Sequence, residues 1–245
     1  VIRQERLHVQ GVPLILARPA EPVGWVLFLH GAGGSKERSA RLAAPFHERR
    51  LATVHPDAPL HGEREAGEWR FDPKDRANYL EGVVRAIAAQ VEELPTLARA
   101  LQERGELAGL PMLAAGASMG GYVWHELISR KLLRPRAAAI LISSGYPLDA
   151  PHDFLEGHAG LLEAYRNPPV TRAAAYPPTP LLHLHGARDP VVPLERMQET
   201  IAALRGAYRE RDGRLAAAVF EGVGHELPEA MLEQAAAWLE FWSRR

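Results

Sequence analysis

The sequence predicts an α/β domain: an eight-stranded, mostly parallel sheet with helices on both faces and a small cap insertion. Three observations point there. Eight short aliphatic or β-branched runs are bounded by turn residues; stretches of helical character separate the third to the eighth; and the chemistry-bearing residues cluster just after strand ends. The 245 residues fit one such domain, and 47% hydrophobic against 24% charged residues supplies a substantial core.

The first two runs, RLHVQ and VPLILARP, lie close enough for a hairpin, which puts antiparallel pairing at the start of the sheet. GWVLFLHG, LATVHPD, LPMLAAGAS, AAAILISSG, PLLHLHG and LAAAVFEG follow as strands. Between them, SARLAAPFHERR, RANYLEGVVRAIAAQVEELPTLARALQERG, GGYVWHELISRKLL and LERMQETIAALRGAY read as helices, and LPEAMLEQAAAWLEFW closes the chain. Pro95 marks a kink in the second helix. Alternation of this length indicates parallel strands buried on both faces. Residues 145–179 break the rhythm, being rich in proline and too long for a simple connection. Two readings stand for them: a crossover helix with untidy ends, or a short cap over the carboxyl ends of the strands. With no internal repeat and no long linker, 1–245 reads as one domain.

A net charge of -1 gives no electrostatic reason to expect nucleic acid or an anionic membrane as partner. The absence of cysteine excludes a disulfide, a thiol nucleophile and a thiolate-bound metal, and fits a reducing compartment. VIRQERLHVQGV has no apolar core of a leader peptide, and no stretch approaches the ~18 apolar residues of a membrane span. The expectation is a cytoplasmic protein. Lys36, Lys74 and Lys131 are the only lysines, while arginine and alanine abound, a pattern of a GC-rich genome.

In an open α/β sheet, ligands bind beyond the carboxyl ends of the strands. Reading those ends in turn yields one serine, one aspartate and one histidine in the order Ser118, Asp189, His225. Ser118 stands in GASMGG, where a strand gives way to a helix, with Gly116 and Gly120 at positions too crowded for a side chain. Such a turn exposes the hydroxyl and sets it beside a helix N-terminus. The hydroxyl needs a base, which His225 in GVGHELP supplies, and the base needs an orienting carboxylate, Asp189 in GARDPVVP. HGAGG offers closely spaced backbone amides, so the oxyanion hole is assigned to the N–H groups of Ala32 and Met119. Asp189 also reads as a plain Asp-Pro turn residue. Asp149 and Asp153 are rivals for the acid but fall in the cap segment, and Asp212 sits in a polar turn.

HGAGGSKE, PDAPLHGER, GASMGG, HGARDPVVP and GVGHELP together resemble the α/β-hydrolase family, and within it the small serine esterases of the dienelactone-hydrolase and prolyl-oligopeptidase branch. The resemblance spans nearly the whole chain. It implies hydrolysis of small or medium carboxylic esters through an acyl-enzyme, with no metal or organic cofactor. Two departures weigh against carrying over those specific activities: dienelactone hydrolases use cysteine where this chain has Ser118, and nothing here could form the propeller of a prolyl oligopeptidase. A thioesterase or small-peptide hydrolase would use the same three residues, and a non-catalytic binding protein could share the fold.

Among the remaining residues, His61, Arg64 and Trp69 are candidate substrate contacts near the mouth of the site. Arg64 could hold a carboxylate bidentately, or pair with a glutamate to brace its loop. Trp69, Phe71 and Tyr79 either line an apolar pocket or pack the following helix. His30 is expected to order the glycine-rich loop. His183 and His185 alternate along a strand and read as core histidines in preference to metal ligands.

Overall fold

A computed structural model of the chain describes residues 1–65, 71, 74–147, 154, 159–210 and 213–245. Eight strands, β1 (Arg3–Val9), β2 (Val12–Arg18), β3 (Gly24–Leu29), β4 (Leu51–Pro56), β5 (Met112–Ala117), β6 (Ala138–Leu141), β7 (Leu181–Gly186) and β8 (Leu215–Phe220), form one sheet. Their spatial order is β1-β2-β4-β3-β5-β6-β7-β8. β2 pairs antiparallel with both β1 and β4, and every pair from β4 onward is parallel. The antiparallel start follows from the tight Gln10-Gly11 hairpin, in which both residues take positive φ.

The apolar runs are strands because both of their faces are covered. Along β3, Trp25, Leu27 and Leu29 face one side and Val26 and Phe28 the other. On the first side lie the helices α3 (Arg76–Gln102), α4 (Met119–Ser129) and α6 (Leu194–Arg205), whose Leu94, Leu97, Trp124, Leu127 and Leu204 complete one core. On the second lie α2 (Ala44–Glu48) and α7 (Glu229–Ser243), through Phe46, Leu232, Ala235 and Leu239.

Two details depart from the sequence reading. The helix expected over SARLAAPFHERR is two short ones, α1 (Lys36–Ala40) and α2. Pro45 has no N–H to continue a helix from α1 but is tolerated in the first turn of a new one, so the helix restarts there. Pro95, in contrast, lies inside α3, which continues through it as one element. In the 145–179 segment, positions 148–153 and 155–158 lie outside the described residues. The remainder includes α5 (Ala159–Arg166) and a 3-10 stretch, Pro169–Ala175, packed against α4. Among the described residues, no helix is long and apolar enough to cross a membrane.

The core also holds histidines. His55, His125 and His183 are fully buried, and the rings of His125 and His183 lie 5.1 Å apart. Burial pushes His55 and His125 down to about 3 and His183 well below its ordinary value. All three are therefore neutral in the folded protein near pH 7. Unfolding returns them to the ordinary pKa near 6.5, so below that pH the unfolded state binds more protons. Stability contributed by each is complete above pH 6.5 and falls as pH drops toward the folded value, by about 1.4 kcal/mol per pH unit for each histidine. Urea midpoints should hold from pH 7.5 to about 6.5 and then decline steadily to pH 5.0, above the range where most carboxylates titrate. A flat profile would contradict this account of the buried imidazoles.

Candidate active site

Ser118 caps the N-terminus of α4 with φ 52 and ψ -117, a strained conformation for a residue with a side chain. Its neighbours make the turn possible. A Cβ on Gly116 would come 2.5 Å from the Gly120 carbonyl oxygen, one on Gly120 would strike the backbone of Leu29, and one on Gly121 would meet Ser143 at 2.5 Å. The turn is thus wedged between β3 and the end of β6. The Ser118 amide donates to the Leu141 carbonyl at 3.0 Å, and the Ser143 hydroxyl donates to the Ser118 carbonyl at 2.8 Å.

The structure brings Ser118, His225 and Asp189 together. His225 Nε2 lies 2.9 Å from Ser118 Oγ, and His225 Nδ1 lies 2.8 Å from Asp189 Oδ2. An ionised carboxylate only accepts, so Nδ1 carries the proton and Nε2 is left to accept from the serine hydroxyl. The other oxygen of Asp189 accepts from the amides of Val191 and Val192, both at 2.9 Å. The turn role and the histidine-orienting role of Asp189 are therefore filled by one carboxylate, an oxygen apiece. Burial acts to raise its pKa, but the hydrogen bonds from His225, Val192 and Val191 outweigh burial and hold it below the ordinary value. Asp189 stays ionised beside the imidazole.

The two loops are fixed to each other. The amide of Arg188 donates to Val223 at 2.9 Å and that of Ala187 to Phe220 at 3.0 Å, while a Cβ on Gly186 would collide with the backbone of Val223. His185 donates through Nε2 to the Val192 carbonyl at 2.8 Å and so buttresses the Asp189 loop from beneath. Among the described residues, no group of three or more histidine, aspartate or glutamate side chains is placed to hold a metal.

The glycine-rich loop after β3 faces Ser118. A Cβ on Gly31 would come 3.2 Å from Ser118 Cβ, and Ala32 lines the same cavity as Ser118 and Met119. His30 orders this loop: Nδ1 donates to the Gly31 carbonyl at 2.8 Å and Nε2 accepts from the Ala58 amide at 3.1 Å. Behind it, the buried Lys36 donates to Asp57 through both its amide and its ammonium, each at 2.7 Å, and to Glu63 at 2.7 Å. Burial acts to lower the lysine, but its hydrogen bonds to Asp57, Glu63 and Glu37 push it up to about 12. Sequence reading missed this pair, since a lysine and an aspartate 21 residues apart carry no local signal.

His61 and Arg64 do not line the cavity. His61 donates from Nδ1 to the Pro59 carbonyl at 2.8 Å and stacks on Phe71 with centroids 3.9 Å apart. Arg64 forks onto Glu93 at 2.7 and 2.8 Å, the brace reading of that residue. Tyr79 does line the cavity. Trp69, Asp149, Asp153 and Asp212 lie outside the described residues.

The cavity has a volume of about 540 Å³. Beyond Ser118 and the Val191–Pro193 turn, its wall is a stripe of α3 including Leu80, Val84, Ile87 and Val91, with Tyr146, Pro147 and Ala164 from the 145–179 segment. Spacings of three, four and seven along α3 place those side chains on one face. The same periodicity would mark a helix packed into a core, so the sequence alone did not reveal the wall.

Comparison with known proteins agrees with this architecture. Residues 26–180 match the family model described as "Alpha/beta hydrolase family", and the chain belongs to that family. It is similar to Esterase YjfP of Escherichia coli (strain K12), with 27% identity over 94% of this chain and 96% of that protein. The solved structure of TT1662 from Thermus thermophilus is similar at 39% identity, with a TM-score of 0.91 and coverage of 100% of this chain and 99% of that one. A dienelactone hydrolase from Anabaena variabilis shares the fold at 20% identity and a TM-score of 0.63, over 98% of this chain and 96% of that one.

Asp57→Ala should test the foundation of the glycine-rich loop. It leaves the Lys36 charge buried without its main partner, and removal of one member of a buried pair typically costs about 3–5 kcal/mol. Urea unfolding at pH 7.5 should show a loss of that order. A loss below about 1 kcal/mol would mean that Glu63 and water replace Asp57 without strain.

Proposed function

We propose that this protein hydrolyses carboxylic esters through an acyl-enzyme on Ser118. The observation that carries the reading is the unbroken chain Asp189–His225–Ser118, ending in a hydroxyl that lines a cavity. Ser118 Oγ attacks the ester carbonyl while His225 Nε2 takes the hydroxyl proton. Asp189 holds the imidazole in its Nδ1–H form and stabilises the cation that develops. The new oxyanion is met by the amides of Ala32 and Met119. Neither amide is committed to an acceptor among the described residues, and the second opens helix α4.

Collapse of the tetrahedral adduct breaks the acyl carbon–oxygen bond, and the alcohol leaves with the proton from His225. Water then repeats the sequence: it gives a proton to His225, attacks the acyl carbon, and frees the acid as Ser118 regains its proton. The 145–179 segment acts as a cap in this reading, since its described residues help to wall the cavity. The similarity to Esterase YjfP of Escherichia coli supports the same reaction class.

The test is a 4-nitrophenyl ester series from acetate to laurate, with wild type and Ser118→Ala side by side. Turnover should fall by ~10⁴–10⁶ in the variant if the three residues act as a unit. A fluorophosphonate should label wild type and leave the variant unmodified. Turnover that survives the substitution intact would overturn the assignment.

A further inference from the structure

A second cavity, of about 400 Å³, lies at the other edge of the sheet from Ser118. The segments leading into β6, β7 and β8 frame it through Arg136, Thr179 and Arg214. Ile128 near the end of α4 and Trp242 near the end of α7 complete the frame. Parallel strands put these amino ends opposite the carboxyl end of β5, where Ser118 stands. The two cavities share no lining residue.

The charge of this second cavity is one-sided. Arg134, Arg136, Arg214 and Arg245 line it, and no aspartate or glutamate stands among its described lining residues. Arg245 is the last residue and brings a carboxylate with its guanidinium, so the excess is that of the other three. Elsewhere arginines meet carboxylates: Arg6 on Glu37, Arg49 on Glu240, Arg64 on Glu93 and Arg85 on Glu81. Arg134 and Arg136 have no such partner among the described residues. Arg214 donates to the Pro178 carbonyl at 3.1 Å, and its guanidinium lies over the Trp242 ring, 4.8 Å from the centroid.

The arginines start from fixed backbone. The Arg136 amide donates to the Met112 carbonyl at 2.7 Å, and the Leu181 amide donates to the Arg214 carbonyl at 2.7 Å. Pro135 and Thr179 are buried, and the Thr179 hydroxyl donates to the Pro135 carbonyl at 3.4 Å. Three like charges held on one cavity repel each other, and a bound anion removes that cost.

Direction selects the anion. A carboxylate is planar and takes guanidinium forks in its own plane, whereas the oxygens of a phosphoryl group are tetrahedral and accept from several sides. The three arginines come from two separate segments, the 134–136 turn and the start of β8, and Ile128, Ala175 and Pro177 add apolar wall. We infer that this cavity binds a small diphosphate, its two phosphoryl groups held by Arg134, Arg136 and Arg214. The ligand is either the free anion or the diphosphate ester of a compact alcohol, the phosphoryl chemistry being the same in both.

Calorimetric titration of the intact protein with pyrophosphate, at low ionic strength and without divalent cations, tests this. Wild type should bind one equivalent, and the affinity should fall with added salt. R134Q/R136Q should weaken binding by roughly tenfold, and R134K/R136K should recover part of the loss. R41Q/R99Q removes the same charge from exposed arginines that do not line the cavity, and should stay within about twofold of wild type. Citrate, which offers carboxylates only, should bind at least about fivefold more weakly than pyrophosphate. Butyl diphosphate separates the two sources: tighter binding than pyrophosphate marks an ester whose carbon chain meets the apolar wall, and equal or weaker binding marks the free anion. The inference is overturned if wild type takes up no pyrophosphate, or if R134Q/R136Q binds it as wild type does. It is overturned equally if R41Q/R99Q loses as much as R134Q/R136Q, or if citrate matches pyrophosphate. None of these readouts passes through Ser118, so the esterase reading is tested separately.

Discussion

Everything at the candidate site depends on one steric constraint: the turn at Ser118 fits only because three neighbouring positions lack a Cβ. Gly116 faces Gly120 across the turn, Gly120 lies against the backbone of Leu29, and Gly121 lies against Ser143. These approaches bring the start of α4 onto the ends of β3 and β6. The positive φ of Ser118 is the consequence, and the packing around it is what sustains a conformation that costs of order 1–3 kcal/mol. From that wedge follows the hydroxyl's position at the carboxyl edge of the sheet, and with it the reach of His225.

The remaining parts are held by polar groups that the fold has had to bury. Lys36 and Asp57 are both nearly inaccessible, an arrangement that gains little net stability over apolar packing but is costly to break. Its value lies in direction. Asp57 accepts from the Lys36 amide, the Lys36 ammonium and the Glu63 amide, which ties the start of α1 to the loop after β4. His30 adds a second tie between the same two loops through Ala58. The glycine-rich loop that faces Ser118 thus rests on a rigid base, although its own residues are small and carry few side-chain contacts.

How much of this the sequence discloses depends on the range of the interaction. Ser118, Asp189 and His225 were legible because each follows a strand in a motif with its own local chemistry: glycines around the serine, Asp-Pro, and a glycine-flanked histidine. The strands were legible for the same reason, since a buried parallel strand is an unbroken apolar run. Arg64 illustrates the opposite case. In HGER it could serve a substrate or a brace, and the choice was settled by Glu93 on α3, whose proximity only the folded chain creates. The aliphatic stripe of α3 was visible as periodicity, but a helix that walls a cavity and one that fills a core share the same spacing. What distinguishes them is whether a neighbouring element packs directly onto that face or stands off across a space, and neither outcome leaves a pattern in the helix itself.

Ile142 carries the logic of the serine turn one strand further. It is a β-branched residue with φ 43, at the point where β6 ends beside the site. Left-handed backbone is a genuine outlier for such a side chain, and here its amide is anchored to the Leu184 carbonyl at 2.8 Å. The next residue, Ser143, donates to the Ser118 carbonyl and also fills the space that forces glycine at position 121. The strain at Ile142 and the strain at Ser118 are therefore joined through one hydroxyl and one close contact. A single strained residue could relax into the ordinary regions of φ and ψ at modest cost. Two that brace each other across adjacent parallel strands can relax only together, and doing so would pull α4 from its seat on β3 and β6.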